Sequence, residues 1–490
     1  MKFTQKLVSL FLIIVLSCPM VFALQTKQIE AGSTLNLNDC IGISLNNSPL
    51  VRRNIYNMKT AKNNISIAKS AYTPTVSAGV GYNQTFNSSN GNVMRNNYSN
   101  RTFPSVSASL NQLIWNFGKT WANIKMQKFN KISAEYEFDY SVLTTIYDVK
   151  LKYYAVLATK SVVDIEKANV QITERNYLRT QAYFEEGIRS KIDLVNAEVN
   201  LSDAKVALVQ AENSYKNALV ELNNSMYVAY APEYEIANTE TFNLVNPYVP
   251  ISLTQISNDT DLSVVPAPVK DAVLTAGAEK SRVLENYQFQ KYPYTFEQSI
   301  DLAMKNRPDL KAMDATVKAM EQALLAVKRQ YYPTLSGNVG YGLANTQNYT
   351  NNSMSISVDL STSFNIFQVK KEIDNAKIQV DSAKNEVELL SQNTYFQVQE
   401  AYINMIQLEK QIPLLETKVR QTLENLELAD GRYSVGIGDY IQLQDARVNY
   451  NNAQNSYVQT IYKYNVARTS LECAIALDQE VTLSRKDLKI

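Results

Sequence analysis

The chain repeats itself, and this constrains its fold more than any other feature. Leu37-Asn38-Asp39-Cys40-Ile41-Gly42-Ile43-Ser44-Leu45-Asn46-Asn47-Ser48-Pro49 aligns with Phe296-Glu297-Gln298-Ser299-Ile300-Asp301-Leu302-Ala303-Met304-Lys305-Asn306-Arg307-Pro308 at a spacing of 259. The same spacing aligns Tyr72-Thr73-Pro74-Thr75-Val76-Ser77 with Tyr331-Tyr332-Pro333-Thr334-Leu335-Ser336. After residues 86–103, where the first copy holds a longer loop, the spacing becomes 249. Thr145, Val149 and Tyr153 then align with Thr394, Val398 and Tyr402, Gly187-Ile188 with Gly436-Ile437, and Ala197 with Ala446. An ordered series at two nearly constant spacings marks a duplication.

Both copies have one internal order. A helical stretch (38–70, 297–329) leads into two alternating segments. A long helical stretch follows (119–186, 371–435), then a turn marked by Gly187 or Gly436, then a further helix (188–224, 437–476). At 1.5 Å per residue the long helices span roughly 100 Å. Only 14 glycines and 13 prolines interrupt 490 residues, which suits long unbroken elements. Helices of that length need lateral partners of the coiled-coil kind.

The period agrees. Leu194, Leu201, Leu208, Tyr215 and Leu222 recur every seven residues, with Ala197, Ala204, Ala211 and Ala218 three residues later. The second copy has Leu443, Tyr450, Tyr457, Tyr464 and Leu471, with Ala446, Ala453, Thr460 and Ala467. A strict seven-residue repeat predicts left-handed supercoiling, and the alanines permit close helix approach. An ordinary antiparallel helical hairpin would show the same rows.

The alternating segments pair as 75–86 with 105–116 and 334–344 with 355–367. Val76, Ala78, Val80 and Tyr82 share one face of the first, and Thr75, Ser77, Gly79 and Gly81 the other. In the last, Ile356, Val358, Leu360, Phe364 and Ile366 oppose Ser355, Ser357, Asp359, Ser361, Ser363 and Asn365. Such alternation suits a half-buried soluble sheet or a membrane barrel strand with a wet lumen. Counting favours the barrel. A bilayer barrel needs at least about eight strands, because an open edge in lipid leaves backbone groups unpaired. Four strands per chain must therefore be shared. Two chains would offer too few helices to surround a lumen, whereas three give twelve strands and twelve helical columns. The expected fold is mainly α with a β membrane part: a long antiparallel coiled-coil α-barrel plus a 12-stranded trimeric β-barrel.

Composition narrows the function. With 48 basic and 47 acidic residues, nothing suggests nucleic acid. The chain has no histidine, so the commonest general base and metal ligand are missing. Cys18, Cys40 and Cys473 lack metal-ligand spacing. There is no Gly-rich phosphate loop and no Ser or Cys with an evident base, so neither an enzyme nor a cofactor is expected. The first residues read as a secretion signal: Lys2 and Lys6, then the apolar run Leu7–Leu16, then Val21-Phe22-Ala23, giving a leader over 1–23. Val15-Leu16-Ser17-Cys18 also reads as a lipoprotein cleavage site, which would leave Cys18 acylated.

Taken together, the pattern resembles the TolC-type outer-membrane efflux family over about residues 35–477. Asn47-Ser48-Pro49 and Asn306-Arg307-Pro308 are similar to the family's Asn-x-Pro. Leu113-Ile114-Trp115-Asn116-Phe117-Gly118-Lys119 resembles its strand-to-helix junction, whereas Phe367-Gln368-Val369-Lys370 lacks the glycine. Phe184-Glu185-Glu186-Gly187-Ile188-Arg189-Ser190 and Tyr433-Ser434-Val435-Gly436-Ile437-Gly438-Asp439 resemble the family's periplasmic helix tips.

The resemblance implies a homotrimeric duct in the outer-membrane lipid, its tunnel hanging into the periplasm. It would serve a tripartite efflux or type I secretion system, through a periplasmic adaptor and an inner-membrane pump of RND, ABC or MFS type. It assigns adaptor contact to Gly187, Ile188, Arg189, Gly436, Ile437 and Gly438. It places Asp445 at a constriction, with Gln442 at a second constriction position where relatives carry an acid. Asp193 and Tyr433 fall at positions that hydrogen-bond in closed relatives. The copies differ beside the tip glycines: Asp193 against Gln442, Asn196 against Asp445, Arg189 against Gly438. Residues 225–293 separate the copies as a linker, and 478–490 form a tail. A trimeric surface adhesin also combines heptads with a small barrel, but it predicts strands at one terminus only. The cargo stays open.

Overall fold

The computed structural model describes residues 29–87, 99–237, 292–345 and 350–477. The leader 1–23 with Cys18, linker residues 238–291 and the 478–490 tail lie outside the described residues. In chain order the elements are β1 (Thr34–Leu35), α1 (Leu37–Asn47), α2 (Pro49–Ser70), β2 (Thr75–Asn87), β3 (Ser99–Trp115), α3 (Lys119–Glu185) and α4 (Lys191–Ser225). There follow β4 (Glu235–Ile236), α5 (Phe296–Asn306), α6 (Pro308–Lys328), β5 (Thr334–Asn345), β6 (Thr350–Ser361), α7 (Ile366–Ser434) and α8 (Tyr440–Ala474).

Several boundaries depart from the sequence reading, each for a local reason. The single helices expected over 38–70 and 297–329 are each two, broken at Ser48-Pro49 and Arg307-Pro308. Proline has no N–H to give a helix interior but fits the first helical position. Ser48 caps α2 by accepting from the Val51 N–H. Arg307 is held by Asp309 at 2.6 and 3.0 Å and reaches Gln397 of α7 at 2.9 Å. The strand expected over 355–367 spans 350–361, and Ile366 opens α7, ahead of the expected residue 371. Asn365 sets that start, since its side chain accepts from the Phe367 and Gln368 N–H groups. The strand expected from residue 105 begins at Ser99. The helix expected from residue 188 begins at Lys191, where Ser190 and Asp193 close a capping box.

The helices form a curtain four columns wide. α2 and α4 pack along α3; α6 and α8 pack on α3 and also on α7. The columns are therefore α2/α4, α3, α6/α8 and α7. α8 is interior and buries two faces. Leu443, Tyr450, Tyr457, Tyr464 and Leu471 are at most 3% exposed, and Val458, Ile461 and Tyr462 are buried as well. Each such side chain contributes about 1.5–3 kcal/mol. α4 lies at the edge. It buries Ala197, Leu201, Ala204, Ala211 and Leu222 against α3 but leaves Ile192, Val195, Val199, Val206, Val209 and Val220 exposed. Buried Glu166 of α3 accepts amide hydrogens from Asn451 (3.1 Å) and Asn455 (2.9 Å) of α8, and from Asn169 (3.1 Å). A satisfied buried carboxylate of this kind fixes helix register. Among the described residues no helix is long and apolar enough to cross a membrane.

β1 and β4 pair with each other in parallel, while β2, β3, β5 and β6 form one antiparallel sheet in that order. Its register stacks like on like. Val76 faces Leu110, Leu110 faces Val339, and Val339 faces Ile356. Ala78, Ala108, Tyr341 and Met354 form the adjacent apolar row. The opposite face carries Ser77, Ser109, Gly340 and Ser355 in one row, then Gly79, Ser107, Gly342 and Ser353 in another. Serine hydroxyls lie over the glycines. A Cβ on Gly81 would sit 2.9 Å from Ser105 Oγ, and one on Gly340 would sit 2.7 Å from Ser355 Oγ.

Candidate functional site

The two tip turns lie together at the end of the curtain far from the sheet. Each ends its long helix with a glycine in left-handed geometry, Gly187 at φ 71° and Gly436 at φ 80°. Each closes with paired backbone bonds: Ile188 N–H to Tyr183 O (2.8 Å) with Gly187 N–H to Phe184 O (3.0 Å), and Ile437 N–H to Arg432 O with Gly436 N–H to Tyr433 O (both 3.1 Å). L-residues with a Cβ disfavour that geometry, so glycine is the residue that ends a helix this way. Ile188 and Ile437 project into solvent, 50% and 76% exposed.

Tyr433 is the hub between the turns. Its side chain is buried, and its hydroxyl shares a 3.2 Å hydrogen bond with Thr180 of α3. Two guanidiniums approach its ring, Arg189 at 4.6 Å and Arg179 at 5.2 Å from the centroid. Tyr183 and Tyr440 meet it edge-on at 6.5 and 5.8 Å. Burial raises the Tyr433 phenol above its ordinary pKa, opposed by the Thr180 bond and the two arginines. Arg179 also forms a 2.6 Å ion pair with Asp430, and both side chains are largely buried. Arg189 donates to the carbonyls of Tyr433 (3.3 Å) and Gly438 (3.1 Å). Gly438 has no room for a side chain, since a Cβ would lie 2.8 Å from Tyr433 N and 2.9 Å from Arg432 C. The first copy therefore grips the second through one ion pair, one hydroxyl pair and a guanidinium on two carbonyls. These are joined by Tyr183 donating to the Ser434 carbonyl (3.5 Å) and Asn200 to the Tyr440 hydroxyl (3.0 Å).

Asp193 lies within electrostatic reach of the Tyr433 phenol, whose pKa its charge also raises, but its hydrogen bonds go to its own helix cap. As the third residue of α4 it accepts from Ser190 N–H (3.4 Å) and Ser190 Oγ (3.0 Å), while the Tyr433 hydroxyl meets Thr180. Gln442 and Asp445 are exposed on one face of α8, a helical turn apart. Arg179, Thr180 and Asp430 were missed by the sequence reading. A signal was present: Thr173, Asn176 and Thr180 are polar residues at buried positions of α3.

Comparison with known proteins decides the family. The family model for outer membrane efflux proteins matches residues 40–226 and 299–476, both copies of the repeat. The chain belongs to this family. As an outer membrane efflux protein it resides in the outer membrane, in a family of channels. It is 21% identical to the outer membrane protein TolC of Escherichia coli strain K12 over 444 residues, covering 90% of this chain and 81% of TolC. Among solved structures it resembles the CmeC outer membrane channel of Campylobacter jejuni. That match has a TM-score of 0.69 at 14% identity, covering 92% of this chain and 88% of CmeC. The open state of the Neisseria gonorrhoeae MtrE channel matches at TM-score 0.64 and 17% identity, covering 90% of this chain and 88% of MtrE.

Proposed function

We propose that three copies of this efflux protein close into one passive duct, by repeating between chains the contacts the duplication makes within one. The observation that carries this is a pair of equivalent valines. Val458 of α8 is 2% exposed where α8 packs on α3; Val209, its counterpart on α4, is 65% exposed. α7 is the counterpart of α3, so the bare face of α4 fits the α7 of a neighbouring chain. α7 offers Ile403, Leu414 and Leu428, all exposed. The sheet follows the same rule. Within the chain the second strand of one copy, β3, pairs with the first strand of the next, β5. Across chains β6 would pair with β2, giving twelve strands and no open edge.

In this assembly the apolar sheet face meets lipid and the serine–glycine face lines the lumen. The tunnel ends at the tip, where the contacts around Tyr433 hold the turns together and act as a latch. Gly187, Ile188, Arg189, Gly436, Ile437 and Gly438 form the surface for a periplasmic adaptor, which links the duct to an inner-membrane pump. Asp445 and Gln442 face the entrance, with three carboxylates per trimer. Outer-membrane fractionation with crosslinking between cysteines at Val209 and Leu414 or Ile403 tests the assembly. A covalent trimer ladder is expected; a monomer in the soluble periplasm would refute it.

A further inference from the structure

The junction between the sheet and the helices carries a cluster that the duct reading leaves unused. Trp115 closes the apolar sheet face, opposite Leu335, which itself opposes Leu360. Phe117 meets Trp115 edge-on at 6.4 Å and stacks on Tyr332 at 5.7 Å. Trp121, one turn into α3, has Lys125 Nζ 3.8 Å above its ring and the Arg329 guanidinium at 5.9 Å. All four aromatic residues are exposed. Exposed aromatics in such a group mark a contact surface.

The backbone is bent to build it. Phe117 sits at φ 52°, left-handed geometry that a bulky residue adopts at a cost of about 1–3 kcal/mol. Gly118 follows at φ 84°, and Arg329 Nη1 donates to its carbonyl at 2.7 Å. A Cβ on Gly118 would lie 1.9 Å from that nitrogen, so the glycine admits the guanidinium. Lys119 and Lys328 are exposed nearby, the first turn of α3 holds no acid, and neither Lys125 nor Arg329 forms an ion pair among the described residues.

We infer that this cluster binds the anionic headgroup of a phospholipid in the leaflet facing the helices. This rests on the reading that the sheet spans a membrane. Trp and Tyr settle at the membrane–water boundary, and basic side chains beside them attract anionic lipid. β3 and β5 are the inner strands of the sheet, so the cluster lies away from the edges offered to neighbouring chains.

Both tryptophans of the chain, Trp115 and Trp121, belong to the cluster, so tryptophan fluorescence reads this place alone. The full-length trimer would be reconstituted with phosphatidylglycerol or phosphatidylethanolamine brominated near the headgroup. Brominated phosphatidylglycerol should quench at about fivefold lower mole fraction. In a K125Q/R329Q variant that ratio should fall toward one while both lipids still quench. K119Q/K328Q, which leaves the Gly118 junction intact, should lower it partway. Equal quenching by both lipids in the wild type would overturn the inference and leave the membrane placement standing. Quenching by neither would remove the placement itself. Loss of the preference on adding inorganic phosphate, but not chloride at equal ionic strength, would assign the site to a free anion and overturn the lipid.

Discussion

Arg189 of the first copy donates, at 3.1 Å, to the carbonyl of Gly438, the residue that holds Arg189's own place in the second copy. The duplication has diverged so that one member of the pair grips and the other is gripped. An arginine at 438 would have no space for its Cβ, and a glycine at 189 would have nothing to donate. A contact of this kind orders two otherwise similar turns.

Loss of the grip should loosen the tip. Arg189→Ala removes charge-assisted bonds to two carbonyls, each contributing about 1.5–3 kcal/mol, whereas Tyr433→Phe removes one hydroxyl pair at about 0.5–1.5 kcal/mol. Single-channel conductance in planar bilayers should rise in both, more in Arg189→Ala. An unchanged conductance in both would show that the Tyr433 cluster does not hold the channel shut.

The Arg179–Asp430 pair should behave as a buried ion pair. Asp430→Asn leaves a largely buried guanidinium without its counter-charge and should cost about 3–5 kcal/mol locally. Hydrogen exchange at the ends of α3 and α7 would report it. An Arg179→Leu/Asp430→Leu double variant should be milder than either single change. Additive losses would contradict a coupled pair.

Two tip glycines should fail differently. Gly436→Ala places a Cβ in open space but at φ 80°, so it should cost about 1 kcal/mol and leave the turn in place. Gly438→Ala drives a Cβ into backbone and should displace Ile437. Crosslinking from position 437 to an adaptor would then drop in Gly438→Ala and persist in Gly436→Ala.

Val209→Glu should break the proposed contact between chains while leaving the chain folded, because the side chain is exposed in the protomer. Mass measurement in detergent should show loss of trimer with unchanged helical circular dichroism. Val458→Glu, at the buried counterpart, should unfold the protomer instead.

Cys40 should resist thiol reagents. Burial, helped by the charge of Asp39, pushes its thiol up to about 12, so almost no thiolate exists at pH 8. Mass spectrometry after alkylation should find Cys40 unmodified in folded protein and modified after denaturation.

The long helices were legible because their rows recur every seven residues and few glycines or prolines intervene. The strands were legible because serine and glycine alternate with branched residues. The breaks at Pro49 and Pro308 were visible as motifs, yet their effect was not, since a proline ends one helix and starts the next without altering the apolar pattern. At the tip, the glycines and Tyr433 stood out by type. Arg179 and Asp430 did not, because a pair 251 residues apart depends on the rotation of α3 against α7. The bare face of α4 was also in the sequence, as Ile192, Val195, Val199, Val206 and Val209. It ran beside a stronger leucine–alanine row and was hidden by it.

In the proposed trimer the serine–glycine rows would set how a cargo passes along the barrel. Where serine and glycine line the wall, its bore comes from strand geometry rather than from rotamers, and Asn111, Asn338 and Asp359 add longer polar side chains to that face. Such a conduit is smooth and indifferent. It offers a travelling molecule evenly spaced weak donors and acceptors and few charges on which to stall. In that assembly discrimination among cargoes would fall to the other end of the molecule, where arginines, tyrosines and acids crowd the proposed entrance.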